Sequence, residues 1–500
     1  MLKAVILTLV SSFCIPELYA VIVLPDVKVN TQSYVKINMD GGGKQLSVLK
    51  DTVFVIWQGQ PTKTSTNIYF TKSIDKGATF GVEKSIFELS DSIDYWFPTM
   101  STSQNGDIHV AVNEVTNNEV DYNILYAKSV DGGKTFPIHR KITTNKLSAF
   151  PCIGSFGNNV YIFYAQVLKY PKLDYYFVRS TDNGNSFGSP IKINDAECQS
   201  DSMEFDGITS MFVDKTGKIY LAWVDGRRST GKGDIFLAKS VDNGITFSPN
   251  IMVNDINQQG ADSAQYLPSV VADGLGNVYV SFTDKRLGKD WSNNRAYFSR
   301  SYDSGSTFVT EKYLGGEHGV TKHHNIAVNS LGLFYAALCV NVSPLWGTWI
   351  FESEDKGNSF SIGVSLCSVM NADYSDLKII AGEDDEIYSI WKDSREGNDI
   401  NNVYFARTNN ATGFSKVDNN SEIIIYQNPS SGSVLLKLPG VNKNVEVTVY
   451  SLNGQVVYRK TEANTSELSL DLKMPTGIYF VNVNSNNEEK TLKLIYKREF

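Results

Sequence analysis

Charge is sparse in this sequence. Asp, Glu, Lys and Arg make up 20% of the 500 residues, and 46 basic groups face 54 acidic ones, a net −8 with histidines neutral. A chain so balanced holds no reservoir for neutralising phosphates, which excludes nucleic acid as a general partner. Beyond the N-terminus no apolar run approaches the ~20 residues that span a bilayer, so no transmembrane segment is expected. Five histidines and five cysteines show no CxxC-type spacing, and neither a metal nor another cofactor is expected. His318, His323 and His324 fall close together, without a recognised ligand spacing. Arginine is absent before Arg140.

What is present points to strands. Apolar residues reach 42%, enough to bury a large core, and aromatics 12%, with 26 Tyr and 26 Phe. Together with 38 Gly and 14 Pro, this composition suits many short strands joined by tight turns. Residues 1–20 read as a secretory signal: Lys3, the apolar stretch from Ala4 to Val10, and Ala20 at the cleavage point. Phe13 is too large for lipidation at Cys14. Export permits disulfides among Cys152, Cys198, Cys339 and Cys367. Pairs Cys152–Cys198 and Cys339–Cys367 each lie within one repeat length; four buried thiols are the alternative.

One eight-residue pattern, Ser-x-Asp-x-Gly-x-(Thr/Ser)-Phe, recurs six times, starting at Ser73, Ser129, Ser180, Ser240, Ser301 and Ser353, with a degraded copy from Thr408 to Phe414. Successive starts differ by 56, 51, 60, 61, 52 and 55 residues, a period that signals a repeat architecture. Upstream of each copy stands a run apolar at nearly every position, such as Val53–Trp57, Ile219–Trp223 or Ile387–Trp391, as in a strand buried on both faces. A loop and a second strand (Asn67–Phe70, Asp234–Leu237) lead into the pattern. Four strands per period make a β-propeller of seven blades over residues 31–420, or six with the degraded copy as a closing element. The strand around Tyr34–Ile37 is expected to complete the last blade.

Within the pattern, Asp accepts backbone N–H bonds of its own turn, Gly takes a positive φ and Phe folds back as an apolar plug. Six copies of one turn make Asp75, Asp131, Asp182, Asp242, Asp303 and Asp355 structural. The pattern resembles the Asp-box, or bacterial neuraminidase repeat, of sialidase-like propellers. That resemblance implies boxes joining third and fourth strands, with ligands on the opposite face, where strand two leads to three and strand four to the next strand one.

Residues expected at that mouth include three Asp-x-Arg triplets: Asp225-Gly226-Arg227, Asp284-Lys285-Arg286 and Asp393-Ser394-Arg395. Their arginines either hold an acidic ligand or pair with their own Asp to stiffen a loop. Tyr95, Trp96, Tyr266 and Tyr374 offer aromatic faces to a sugar. Asp94, Glu204, Asp206, Asp373 and Asp376 are the candidate acid, base or nucleophile of a glycoside hydrolase. The arginine triad of true sialidases does not carry over, because the early Arg-Ile-Pro motif is missing. Three functions follow: recognition of an extracellular glycan or glycoprotein, glycoside hydrolysis, or a structural, adhesive role.

From about residue 421 the repeat stops. Val445–Tyr450 alternates, Asn453-Gly454 marks a hairpin turn, and Leu468–Leu472, Ile478–Val483 and Thr491–Tyr496 read as strands of a small Ig-like β-sandwich. Residues 421–500 resemble the type A C-terminal sorting domain of the type IX secretion system. The likeness rests on the Asn-Pro-Ser-Ser-Gly opening at Asn428, the Asn-Gly hairpin and the Pro475-Thr476-Gly477-Ile478-Tyr479-Phe480-Val481 run. It implies the secretion machinery as a partner and a secreted or outer-membrane surface location.

Overall fold

A computed structural model describes residues 22–409 and 424–496 apart from short breaks, the longest being 200–207, 256–263, 287–293, 315–320 and 427–432. The expected signal segment, Glu204, Asp206, Asp373, His318 and the end of the degraded repeat lie outside the described residues, as does the side chain of Tyr374. Contacts divide the chain into two units, Met1–Asn410 and Ala411–Phe500. Every described element is a β-strand.

In the first unit the described strands form seven antiparallel sheets. The second strand of each sheet is the apolar run read from sequence: Ile219–Asp225 and Val278–Asp284 are buried at all seven positions. Trp57, Trp223 and Trp391 stand at matching places in three such strands, all fully buried. First strands line up side by side: Leu46–Leu49, Ile93–Thr102, Leu147–Phe156, Thr209–Val213, Gln265–Ala272, Thr321–Val328 and Tyr374–Ala381 each pack on the next, and the last packs on the first. The sheets therefore close into a circle.

The circle is fastened by a different segment from the one expected. Lys36–Asn38 pairs with Thr52–Gln60 of the first sheet, and Tyr34 makes only an isolated bridge to Asn401. The fourth-strand place of the last sheet is taken by Ile22–Val23 and Val27–Lys28, which pair with Asn402–Asn409. The ring thus begins before residue 31. An edge strand left open would be a pairing liability, and the N-terminal segment covers it.

All six boxes build one turn. In the first, the Ser73 hydroxyl donates to Asp75 at 2.6 Å and accepts the Gly77 N–H at 2.7 Å, while Asp75 accepts the Thr79 amide at 2.9 Å and its hydroxyl at 2.6 Å. These bonds hold the Asp75 carboxyl down at about 2. Gly77, at φ +85°, lies against the ring of Phe405 in the neighbouring sheet, so a Cβ would both strain the backbone and strike the ring. The boxes are part of the sheet-to-sheet packing.

Cys152, Cys198, Cys339 and Cys367 are four buried thiols and form no disulfide. The within-repeat pairs expected as bridges are absent; each pair instead shares one apolar core.

The second unit has two sheets. Ile424–Tyr426, Ser433–Asn442 and Thr465–Asp471 form one, and Val456–Glu462, Val445–Ser451, Gly477–Ser485 and Glu488–Tyr496 the other. Alternating residues Val445, Val447, Val449, Val481 and Val483 meet Val434, Leu436, Leu468 and Leu470 in one core.

Candidate functional site

The direction of each hairpin sets which end of a sheet can hold chemistry. Ile219 pairs with Ser240, the first residue of a box, whereas Asp225 pairs with Asp234 at the other end of the same two strands. Val278 pairs with Ser301 and Asp284 with Arg295 in the same way. The Asp-x-Arg triplets and the boxes therefore occupy opposite ends of their sheets. First strands begin at the triplet end, and this end is the candidate mouth.

At the mouth the three arginines are committed to protein carboxylates. Arg227 donates to Asp225 through its backbone N–H at 2.9 Å and through Nε at 2.9 Å, and reaches Asp195 at 2.6 Å. Arg286 joins Asp284 and Glu311, both at 2.7 Å, and Arg395 joins Asp393 and Asp26. Each guanidinium also lies over an aromatic ring of the adjacent strand: Phe236 at 4.3 Å, Tyr297 at 4.1 Å and Tyr404 at 3.8 Å. The indole N–H of Trp223 donates to Asp225, and that of Trp391 to Asp393. Burial works against the charge on Arg227, but the bonds to Asp225 and Asp195 outweigh it and raise its pKa. Of the two arrangements open from sequence, the structure has the loop-stiffening one. Trp two residues before Asp225 and Asp393 was the available signal for two of the three.

Other expected site residues divide. Tyr95 is buried and stacks on Phe87 with ring centres 4.2 Å apart, so it belongs to the core. Trp96, its neighbour on the other face of the strand, is half-buried and meets Tyr122 edge-on at 5.8 Å. Tyr266 is half-buried with the Lys285 ammonium over its ring at 4.9 Å. Asp94 accepts the Thr66 amide at 2.8 Å. Asp376 is buried; it accepts the Met39 amide at 3.2 Å and has Lys392 at 3.7 Å and His323 at 3.9 Å. His323 and Lys392 are half-buried.

Sequence reasoning did not find what aims these side chains. The first strands slip register near the mouth, between Trp96 and Thr99, Ala149 and Cys152, Tyr266 and Ser269, Thr321 and His323, and Ser375 and Lys378. Four of these bulges carry a residue in the left-handed region: Phe97, Phe150, Leu267 and Asp376, at φ between +50° and +57°. Such residues cost roughly 1–3 kcal/mol each, and bulges next to sites re-aim side chains. A hydrophobic residue before Pro98, Pro151 and Pro268 was the signal, because Pro cannot donate to a ladder and is tolerated at bulges.

The sequence reading also passed over the glycine run 41–43. Met39 bonds to Asp376 in the last sheet, Gly42 lies against the Thr209 carbonyl, Gly43 against Thr99 and Pro151, and the Lys44 amide donates to Thr99. Met39 and residues 42–44 thus meet first strands on several sides of the circle, so this segment runs across the axis. Among the described residues no cluster of His, Cys, Asp and Glu fits a metal ion. A cavity of about 420 Å³ lies off-axis beside the third sheet, where Lys172–Glu197 and Lys192–Asp174 already satisfy each other.

Comparison with protein families matches residues 424–497 to the secretion system C-terminal sorting domain. That domain marks the chain as exported by type IX secretion, secreted or attached at the cell surface. No helix among the described residues is long and apolar enough to cross a membrane, which says nothing of β-barrels. No curated protein matches the chain. Among solved structures, an ulvan lyase of polysaccharide lyase family PL25 aligns with TM-score 0.54 and 12% identity, covering 76% of this chain and 95% of its own. The polysaccharide lyase Uly1 aligns with TM-score 0.50 and 11% identity over 78% of this chain and 99% of its own. The NanB sialidase from Streptococcus pneumoniae aligns with TM-score 0.45 and 11% identity over 77% and 70%. At such identities the likeness is one of fold, a propeller-type arrangement of sheets.

Proposed function

We propose that the chain is an exported Asp-box propeller of seven blades that recognises an extracellular glycan at its mouth, followed by an Ig-like sorting domain handled by the secretion machinery. The observation carrying this reading is the set of bulged first strands. Strain accumulates at one end of the ring, where it presents Trp96, Tyr266 and His323 with Lys285 and Lys392. Aromatic faces suit the apolar face of a sugar, and the cations suit acidic substituents. The arginines stiffen the rim. A second reading, cleavage of the same glycan, draws on the half-buried imidazole of His323 beside the buried Asp376 carboxylate, a pairing that can orient a proton-transfer group. Glycoside hydrolysis and the polysaccharide lyase activity named for the ulvan lyase neighbour are its two forms.

Screening the full secreted chain on a glycan array, with reducing ends and unsaturated ends assayed in parallel, tests both. Binding lost in Trp96→Ala and Tyr266→Ala supports recognition, and turnover lost in His323→Ala supports cleavage. Absence of any saccharide binding defeats both and leaves the adhesive role.

A further inference from the structure

Beneath the crossing segment lies a cavity of about 80 Å³ on the axis, lined by Gly42, Gly43, Lys44, Ser210, Phe212, Ser269, Asn325 and Lys378 among others. One water needs roughly 10–15 Å³ of such space, so the cavity admits a group of a few heavy atoms and excludes a sugar ring. Its lining takes Ser210–Phe212, Ser269–Val271, Asn325–Val328 and Lys378–Ala381 from the first strands, the stretches on the box side of the mouth bulges.

The chemistry of the lining is one-sided. The Lys44 ammonium stands 4.4 Å from the centre of the Phe212 ring, and among the described residues no ion pair to a carboxylate forms at it. Lys378 supplies a second amine. The Ser210 hydroxyl oxygen accepts the Val270 amide at 3.2 Å, and that of Ser269 accepts from the Asn325 side-chain amide at 3.3 Å. Neither hydroxyl donates to a described protein acceptor, so both protons remain for a guest. Asn325 is itself held by accepting the Ile379 amide at 3.0 Å. Cations and hydroxyl donors without a carboxylate describe an oxyanion cup. Burial costs the Lys44 charge heavily, pulling its amine to about 8, and a bound anion offsets that cost.

We infer that this axial cavity is a binding site for a single small oxyanion, carboxylate or sulfate, held by Lys44, Lys378, Ser210 and Ser269. It is separate from the mouth and stands or falls without the glycan reading. The oxyanion is either a free ion or the acidic substituent of a saccharide, and both sources fit the chemistry.

Thermal unfolding and calorimetric titration of the full chain with sodium sulfate and with sodium acetate, at constant ionic strength set by chloride, test the inference. A uronate oligosaccharide forms the third arm. Sulfate excluded from surfaces stabilises in proportion to its concentration, whereas a site saturates. A saturable component, lost at least tenfold in affinity in Lys44→Met, is the expected result. Should Lys44→Met fail to fold, the Ser210→Ala/Ser269→Ala variant reads the same loss. Saturation with free ions alone assigns a free anion, and with the oligosaccharide alone a saccharide substituent. No saturable component in any arm, or one that survives both variants, overturns the site.

Discussion

The Lys72 ammonium donates a 2.8 Å hydrogen bond to the backbone carbonyl of Gly132, inside the box turn of the next repeat. Lys128 reaches Asn183, Arg179 reaches Asn243, Lys239 reaches Ser304 and Arg300 reaches Lys356 in the same manner. The basic residue before each of these five boxes clamps the following box, so neighbouring sheets are tied by a charge-assisted bond as well as by apolar packing. At the closure, Lys76 of the first box meets Asp384 at 2.9 Å.

Removing a clamp should cost stability in proportion to what is left unpaired. Lys72→Met forfeits one bond at a half-exposed edge, about 1 kcal/mol. Lys128→Met leaves the buried Asp107 carboxylate without its cation, 3.0 Å away, and with the Asn183 side-chain amide at 2.6 Å still donating to it, and should cost about 3 kcal/mol. Denaturant midpoints of the two variants check the ranking.

Acid should attack the boxes together. Asp75, Asp131, Asp182, Asp242, Asp303 and Asp355 all sit below the ordinary carboxylate value through bonds from their own turns. A folded pKa below the unfolded one means stability is present above about pH 4 and is lost as pH falls toward 2. Melting temperature should therefore hold steady down to about pH 4 and then drop. Asp75→Asn should start lower at neutral pH and show a shallower acid limb.

Arg286 should behave as a structural residue. Its partners Asp284 and Glu311 have fully buried carboxylates, so Arg286→Ala should lower stability by about 3–5 kcal/mol. Saccharide affinity, measured below the melting temperature, should change less than twofold. A tenfold loss of binding in a folded Arg286→Ala chain would return the arginines to the ligand.

Trp96→Ala gives the opposite pattern. The half-buried ring contributes little to the core, so stability should fall by no more than about 1 kcal/mol, while glycan affinity should weaken about tenfold, or ~1.4 kcal/mol. Titration of both chains with the best array ligand reads the difference.

The thiols should be silent until the ring opens. Burial pushes Cys152 up to about 11, well above a free thiol. Native protein at pH 8 should resist alkylation, and the four cysteines after Cys14 should all react in denaturant without reductant. Fewer than four would mean a disulfide forms.

Much of the fold was legible because its causes are local. The box turn is made by bonds between residues two and four apart, Ser73 to Asp75 and Asp75 to Thr79, and six copies at one period announce the repeat. Second strands advertise burial on both faces through unbroken apolar runs, and the tail matches its family over residues 424–497. The mouth was legible only in outline. Trp96, Tyr266 and Asp376 were placed there by strand order, yet Tyr95, one residue away, turned into the core because side chains alternate along a strand.

The sequence by itself determined the strands, the box turns, the placing of boxes and Asp-x-Arg triplets at opposite ends of their sheets, and export. Only the tertiary structure decided the closure by Ile22–Val23, the pairing of Arg395 with Asp26, and the bond from Met39 to Asp376. Each of these joins groups hundreds of residues apart along the chain. A short window carries propensity and pattern, but which carboxylate meets which cation depends on the closed circle that brings distant segments to one point.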